Sequence, residues 1–79
     1  MSDTPFNKEL DLRNLPCPMP VVKVSKGIKE VAVGEVVKAV TTDPGALTDF
    51  PAWAKTSGNQ IVETEDVGGE VHFYIKRLK

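Results

Sequence analysis

The only cysteine of the chain, Cys17, sits in Leu15-Pro16-Cys17-Pro18-Met19-Pro20, boxed by prolines just ahead of an amphipathic stretch. A free thiol in that setting is a candidate nucleophile. Next to a helix start it lies near the positive end of the helix dipole and near free first-turn N–H groups, and both favour thiolate over thiol. The dipole contributes about 0.3–2 kcal/mol, roughly 0.2–1.5 in pKa, against a thiol reference near 8.5. A helix by itself therefore leaves thiol and thiolate mixed at neutral pH, and Arg13, Lys23 and Lys26 are the cations that would add to its effect if they fold close by. Pro18 and Pro20 stiffen the backbone beyond the sulfur, so that it could stand out at a helix tip within a partner's reach. The competing reading is the ordinary one for a lone cysteine, a small apolar residue packed in the core.

Other chemistries find little support. One cysteine cannot form an internal disulfide, and the single histidine, His72, is far away in sequence, so no metal-ligand cluster and no protease-like Cys/His pair is recognisable. His72 is expected to be an exposed strand residue, and no metal or organic cofactor is expected. Ten basic against eleven acidic residues give a net charge of -1, which offers no general pull toward phosphates and makes direct nucleic acid binding a minor reading. The longest uncharged stretch, Asn14 to Val22, is too short to cross a bilayer. The N-terminus lacks the basic start and apolar run of a secretion signal, which predicts a cytoplasmic protein whose thiol stays reduced.

The elements that must position Cys17 follow from periodicity. Lys8 to Arg13 alternates apolar with charged residues, as a half-buried strand does. Asn14 to Cys17 is a loop, because Pro16 cannot donate to a sheet and biases Leu15 away from helical geometry. A helix starting at Pro18 to Pro20 then carries Val21, Val24, Ile28 and Val31 on one stripe, with Gly27 in its interior costing about 1 kcal/mol relative to alanine. Glu35 to Thr42 reads as a central strand. Asp43-Pro44-Gly45 is a turn, with Asp43 as a turn or cap residue. One helical turn, a break at Pro51 and a short helix from about Asp49 should follow, with Phe50, Trp53 and Ala54 on the buried face and Gly58 as the stop. Gln60–Val67, the turn Gly68-Gly69 and Glu70–Arg77 form a hairpin. The expected fold is α+β, a two-layer sandwich of order β-α-β-α-β-β with two helices on one face of a four-stranded mixed sheet. Residues 1–79 form a single domain on this reading, with 1–7 a flexible leader.

Leu10-Asp11-Leu12-Arg13, Cys17-Pro18-Met19-Pro20, Gly34-Glu35, Thr42-Asp43-Pro44, Asp49-Phe50-Pro51-Ala52-Trp53 and Gly58 together resemble the TusA (SirA-like) sulfur carrier family in order and spacing. The resemblance covers nearly the whole chain. It implies that Cys17 accepts a persulfide sulfur from a cysteine desulfurase or another sulfur donor and passes it to an acceptor protein, a sulfurtransferase-like carriage by persulfide exchange. Transfer RNA thiolation, molybdenum cofactor assembly and sulfur oxidation are all destinations consistent with it. Two positions depart from the family: Asn14 stands where glycine is common, and Ala54 where some members carry a second cysteine, which excludes an intramolecular disulfide mechanism. The alternatives are a non-catalytic regulatory or protein-interaction module with a structural cysteine and, from a likeness of small sandwiches to translation-factor domains, an RNA-binding domain.

Overall fold

The computed structural model describes residues 5–16 and 19–79. In order along the chain come β1 (Lys8–Leu12), α1 (Met19–Gly27), a short 3-10 turn (Ile28–Glu30), β2 (Val36–Thr41), α2 (Ala46–Ser57), β3 (Gln60–Val67) and β4 (Glu70–Lys76). The strands make one sheet in the order β1-β2-β4-β3. β1 and β2 are parallel, joined through the α1 crossover that a parallel pair requires, while β4 runs antiparallel to both β2 and β3. The two helices, the mixed four-stranded sheet and the element order are those expected from the sequence.

One sheet face is sealed by the helices. Val37, Ala39, Phe73 and Ile75 alternate along the central strands and are at most 1% exposed, as period-two geometry demands of a covered face. Against them pack Val24, Ile28 and Val31 from the predicted stripe, together with Ala46 and Phe50; Val21 and Trp53 are partly buried beside them. Phe50 and Phe73 meet edge to face with ring centroids 4.5 Å apart, a geometry aromatic pairs prefer.

Two helical expectations are corrected in detail. α1 ends at Gly27 instead of running on to Val31 as regular α-helix, and the stripe continues through the 3-10 turn. Gly27 sits at a close approach: a Cβ there would lie 2.6 Å from Leu10 Cδ1, so a side chain would force the Leu10 methyl groups to shift. α2 does not break at Pro51, which lies inside a single helix of 12 residues. Proline removes one helical N–H and crowds the preceding turn, but completely buried Phe50 and nearly buried Ala54 bracket it, and their docking on the sheet carries the helix through. Gly58 closes α2 in the left-handed conformation at φ 80°, its N–H bonded to Ala54 O. The hairpin ends on Gly68 and Gly69, both at positive φ. β3 has an irregularity between Ile61 and Glu63 where its register against β4 shifts.

At the N-terminal end, Asn7 is tied to the sheet: its N–H donates to Val36 O at 2.7 Å and its Oδ1 accepts from Val36 N–H at 3.0 Å. Phe6 lies over Tyr74 on the face away from the helices. The rest of the predicted leader, residues 1–4, is outside the described residues. Among the described residues no helix is long and apolar enough to cross a membrane.

Candidate functional site

Cys17 and Pro18 lie outside the described residues, so the site is defined by the chain on either side of them. β1 ends at Leu12, which is buried in the core. Arg13 follows, and its guanidinium is taken up by carboxylates: Nε donates to Asp11 Oδ1 and Nη2 to Asp11 Oδ2, each at 2.9 Å, and Nη1 donates to Glu70 Oε2 at 3.4 Å. Its backbone N–H donates to Asp11 Oδ1 as well, at 3.2 Å. Since β2 separates β1 from β4 in the sheet, the Glu70 contact spans a strand. Of the expected supporting cations, Arg13 is thus engaged in a tie across the open sheet face.

The electrostatics follow from these contacts. The Arg13 side chain, and secondarily its backbone N–H, hold the Asp11 carboxyl down at about 2, below the ordinary 3.8. The same partners, Asp11 foremost, push the Arg13 guanidinium up. Glu70 is lowered first by its hydrogen bond to His72 and then by Arg13, with partial burial opposing. His72 Nε2 is 3.3 Å from Glu70 Oε1 and its side chain is only 15% exposed. The histidine is therefore more sheltered than its expected exposed position, because it lies among neighbouring residues on the sheet's open face. Together with Glu9 and Val40, these groups line a shallow depression there.

Past Arg13 the chain turns sharply. Asn14 adopts a left-handed conformation, φ 64°, at the position where the family commonly has glycine, and asparagine is among the few residues that tolerate it. Its N–H donates to Thr42 Oγ1 at 2.9 Å. Leu15 packs against the core, and Pro16 is exposed. Met19 N–H donates to Pro16 O at 2.9 Å, joining the described chain across the two intervening positions. α1 starts at Met19, within the predicted range, and the supporting Pro20 is fully buried. On the flank between α1 and β1, Lys23 and Lys26 line a second depression with Leu10, Leu15 and Glu30; Glu30 also pairs with Lys8 Nζ at 2.9 Å.

Asp43 has the turn role expected of it. Its Oδ1 accepts from Gly45 N–H at 3.1 Å and its carbonyl from Ala46 N–H at 3.1 Å, shaping the entry to α2. Two contacts were missed from the sequence. Glu70 is 57 residues from Arg13, and linear spacing carries no signal for that pair. In the sequence Thr42 stands only as part of Thr42-Asp43-Pro44, although a hydroxyl at the end of a central strand is a recognisable candidate to hold a neighbouring loop, as Thr42 Oγ1 does by accepting from Asn14 N–H. Among the described residues, no group of three or more His, Cys, Asp or Glu side chains is arranged to hold a metal ion.

The structure is a two-layer α+β sandwich, and in its sequence the Cys17-Pro18-Met19-Pro20 element follows the first strand and runs into the first helix. The chain belongs to the sulfurtransferase TusA family, which it matches over residues 8–77. It is 40% identical over 72 residues to the sulfur carrier protein TusA of Allochromatium vinosum, covering 91% of this chain and 95% of that one. It is 37% identical to the putative sulfur carrier protein YrkI of Bacillus subtilis, covering 90% and 95% respectively. The fold matches a crystal structure of a SirA-like protein from Desulfitobacterium hafniense with a TM-score of 0.79, covering 92% of this chain and all of that one at 23% identity.

Proposed function

We propose that this chain is a cytoplasmic sulfur carrier that loads a persulfide sulfur on Cys17 and hands it to an acceptor protein. The observation that carries the reading is membership of the TusA family over residues 8–77, a span that includes the Cys17-Pro18-Met19-Pro20 element. In loading, the Cys17 thiolate attacks the terminal sulfur of a donor persulfide; a new S–S bond forms, and the donor's cysteine sulfur leaves as thiolate with the bonding electron pair. In delivery, an acceptor thiolate attacks that same terminal sulfur and Cys17 leaves as thiolate. Neither step requires an external oxidant or reductant. The donor is a cysteine desulfurase or another persulfide-bearing protein, and the acceptor is the next thiol of the relay. Arg13 is held by Asp11 and Glu70, so on this reading Lys23 and Lys26, beside Leu15, are the cations left to favour the anionic cargo or an acidic partner.

Intact-mass measurement after incubation with a cysteine desulfurase and cysteine tests this. Wild type should gain one sulfur that reductant removes, and Cys17→Ser should gain none. Equal gain by Cys17→Ser, or none by wild type, would falsify the proposal.

A further inference from the structure

The sheet has β1 at one edge and β3 at the other, and the two edges are not alike. β3 is interrupted between Ile61 and Glu63 and carries Glu63, Glu65 and Asp66, the irregularity and charge that keep an edge strand from pairing with another chain. β1 keeps one continuous register against β2 from Lys8 to Leu12, and alternate residues of a strand paired on one side only turn their main-chain N–H and C=O groups to the open side. Along that side runs a groove between β1 and α1, floored by Leu10, Leu15 and Gly27 and rimmed by Lys23, Lys26 and Glu30. Leu10 and Leu15 are only half-buried there, and both lysines are exposed. The charge of the groove is unbalanced. Glu30 pairs with Lys8 Nζ and the neighbouring Asp11 with Arg13, each at 2.9 Å, so Lys23 and Lys26 set its sign.

We propose that this groove docks an extended acidic segment of a partner protein, which adds to the sheet beside β1 and sets its carboxylates on Lys23 and Lys26. In strand addition main-chain hydrogen bonds supply the attachment and alternate side chains supply the choice. The five residues of β1 accept a strand of about 17 Å, and the nine residues of α1 run beside it for about 14 Å. Side chains of the segment on the helix side lie over Leu10 and Leu15 and meet the two lysines, which favours leucine and glutamate. Those on the open side lie beside Glu9 and Asp11, which favours neutral residues. A second copy of this chain fits less well: in a sheet continued with its helices on the same side, Glu63 and Glu65 of β3 would stand beside Glu9 and Asp11, like charge against like. That the partner is a sulfur donor or acceptor rests on the carrier reading; the docking itself does not.

The experiment is an NMR titration of the isotope-labelled protein at low salt with a short blocked peptide in which threonine alternates with glutamate and leucine. Amide shifts should fall on β1 and on Lys23, Lys26 and Gly27, with α2 and β3 unmoved. The double variant Lys23→Glu, Lys26→Glu should bind about tenfold more weakly; both side chains are exposed, so the fold should be kept. Two changes to the peptide test the mode without any variant. Lysine in place of glutamate should weaken binding about tenfold, and so should methylation of the main-chain nitrogens that face β1. Equal binding of the methylated peptide would mean charge attraction alone and overturns strand addition, as do shifts centred on α2 or on the open sheet face, or no binding at all. Self-association of the protein without peptide that moves these same β1 amides makes a second copy the occupant and overturns the partner assignment. A protein that binds the peptide but never gains sulfur overturns only the carrier reading, and one that gains sulfur but binds no peptide overturns only the docking.

Discussion

The two faces of the sheet are made of alternate residues on the same strands, yet they are held by different forces. Under the helices, Val37, Ala39, Phe73 and Ile75 form a sealed apolar layer. On the other face, the register lines up Glu9, Lys38, Tyr74 and Glu63 in one row and Asp11, Val40, His72 and Glu65 in the next. That face relies on the Asp11–Arg13–Glu70–His72 chain of contacts and on a small lid, in which Phe6 covers Tyr74 and Lys38 Nζ lies 5.2 Å and 5.7 Å from their ring centroids. Tyr74 is only 3% exposed as a result. Stability should therefore be concentrated on one face, while the charged face ties the end of β1, where the cysteine loop begins, to the hairpin.

The largest effect should come from the sealed face. Phe73→Ala removes a ring that meets Phe50 and should cost about 3–5 kcal/mol, read as a lowered urea midpoint. A cost below 1 kcal/mol would show that the core does not depend on that layer. On the open face, Lys38→Met keeps the apolar stem over Phe6 and Tyr74 but removes the charge, so it should cost about 0.5–1 kcal/mol. A loss rivalling that of Phe73→Ala would break the contrast between the faces.

The smallest effect at neutral pH concerns Arg13. Asp11 and Glu70 both have depressed folded-state values, so their contribution to stability is present above the unfolded carboxylate range. It is lost as pH falls, for Asp11 from about 4 toward about 2. Arg13→Met should flatten the fall in melting temperature across that window, most visibly at low salt because the groups are exposed. Equal slopes for variant and wild type would show the tie to be without energetic consequence.

Much of the fold was legible because its signals are local. The alternation of Val71, Phe73 and Ile75 and the Gly68-Gly69 turn marked the hairpin, and the Val24, Ile28, Val31 stripe marked the face of the first helix. Pro51 predicts a break because its cost is local, but the burial of Phe50 beside it outweighs one lost hydrogen bond and the helix continues. The Cys17 element was legible from spacing and proline chemistry, whereas the surroundings of its loop were not. The sequence offers Arg13 as a cation beside the loop, and only the folding of β4 alongside β2 brings Glu70 within its reach.

The sequence by itself determined the element order, the apolar faces and the place of the chain's one thiol, because periodicity, turn residues and a proline-boxed cysteine are properties of neighbours along the chain. Tertiary structure alone decided that Asn14 is held by Thr42, that Arg13 is shared between Asp11 and Glu70, and that Gly27 makes room for Leu10. The Asn14–Thr42, Arg13–Glu70 and Gly27–Leu10 approaches join residues far apart in the chain, and they exist only once the sheet has formed and brought those residues to within hydrogen-bonding or van der Waals distance.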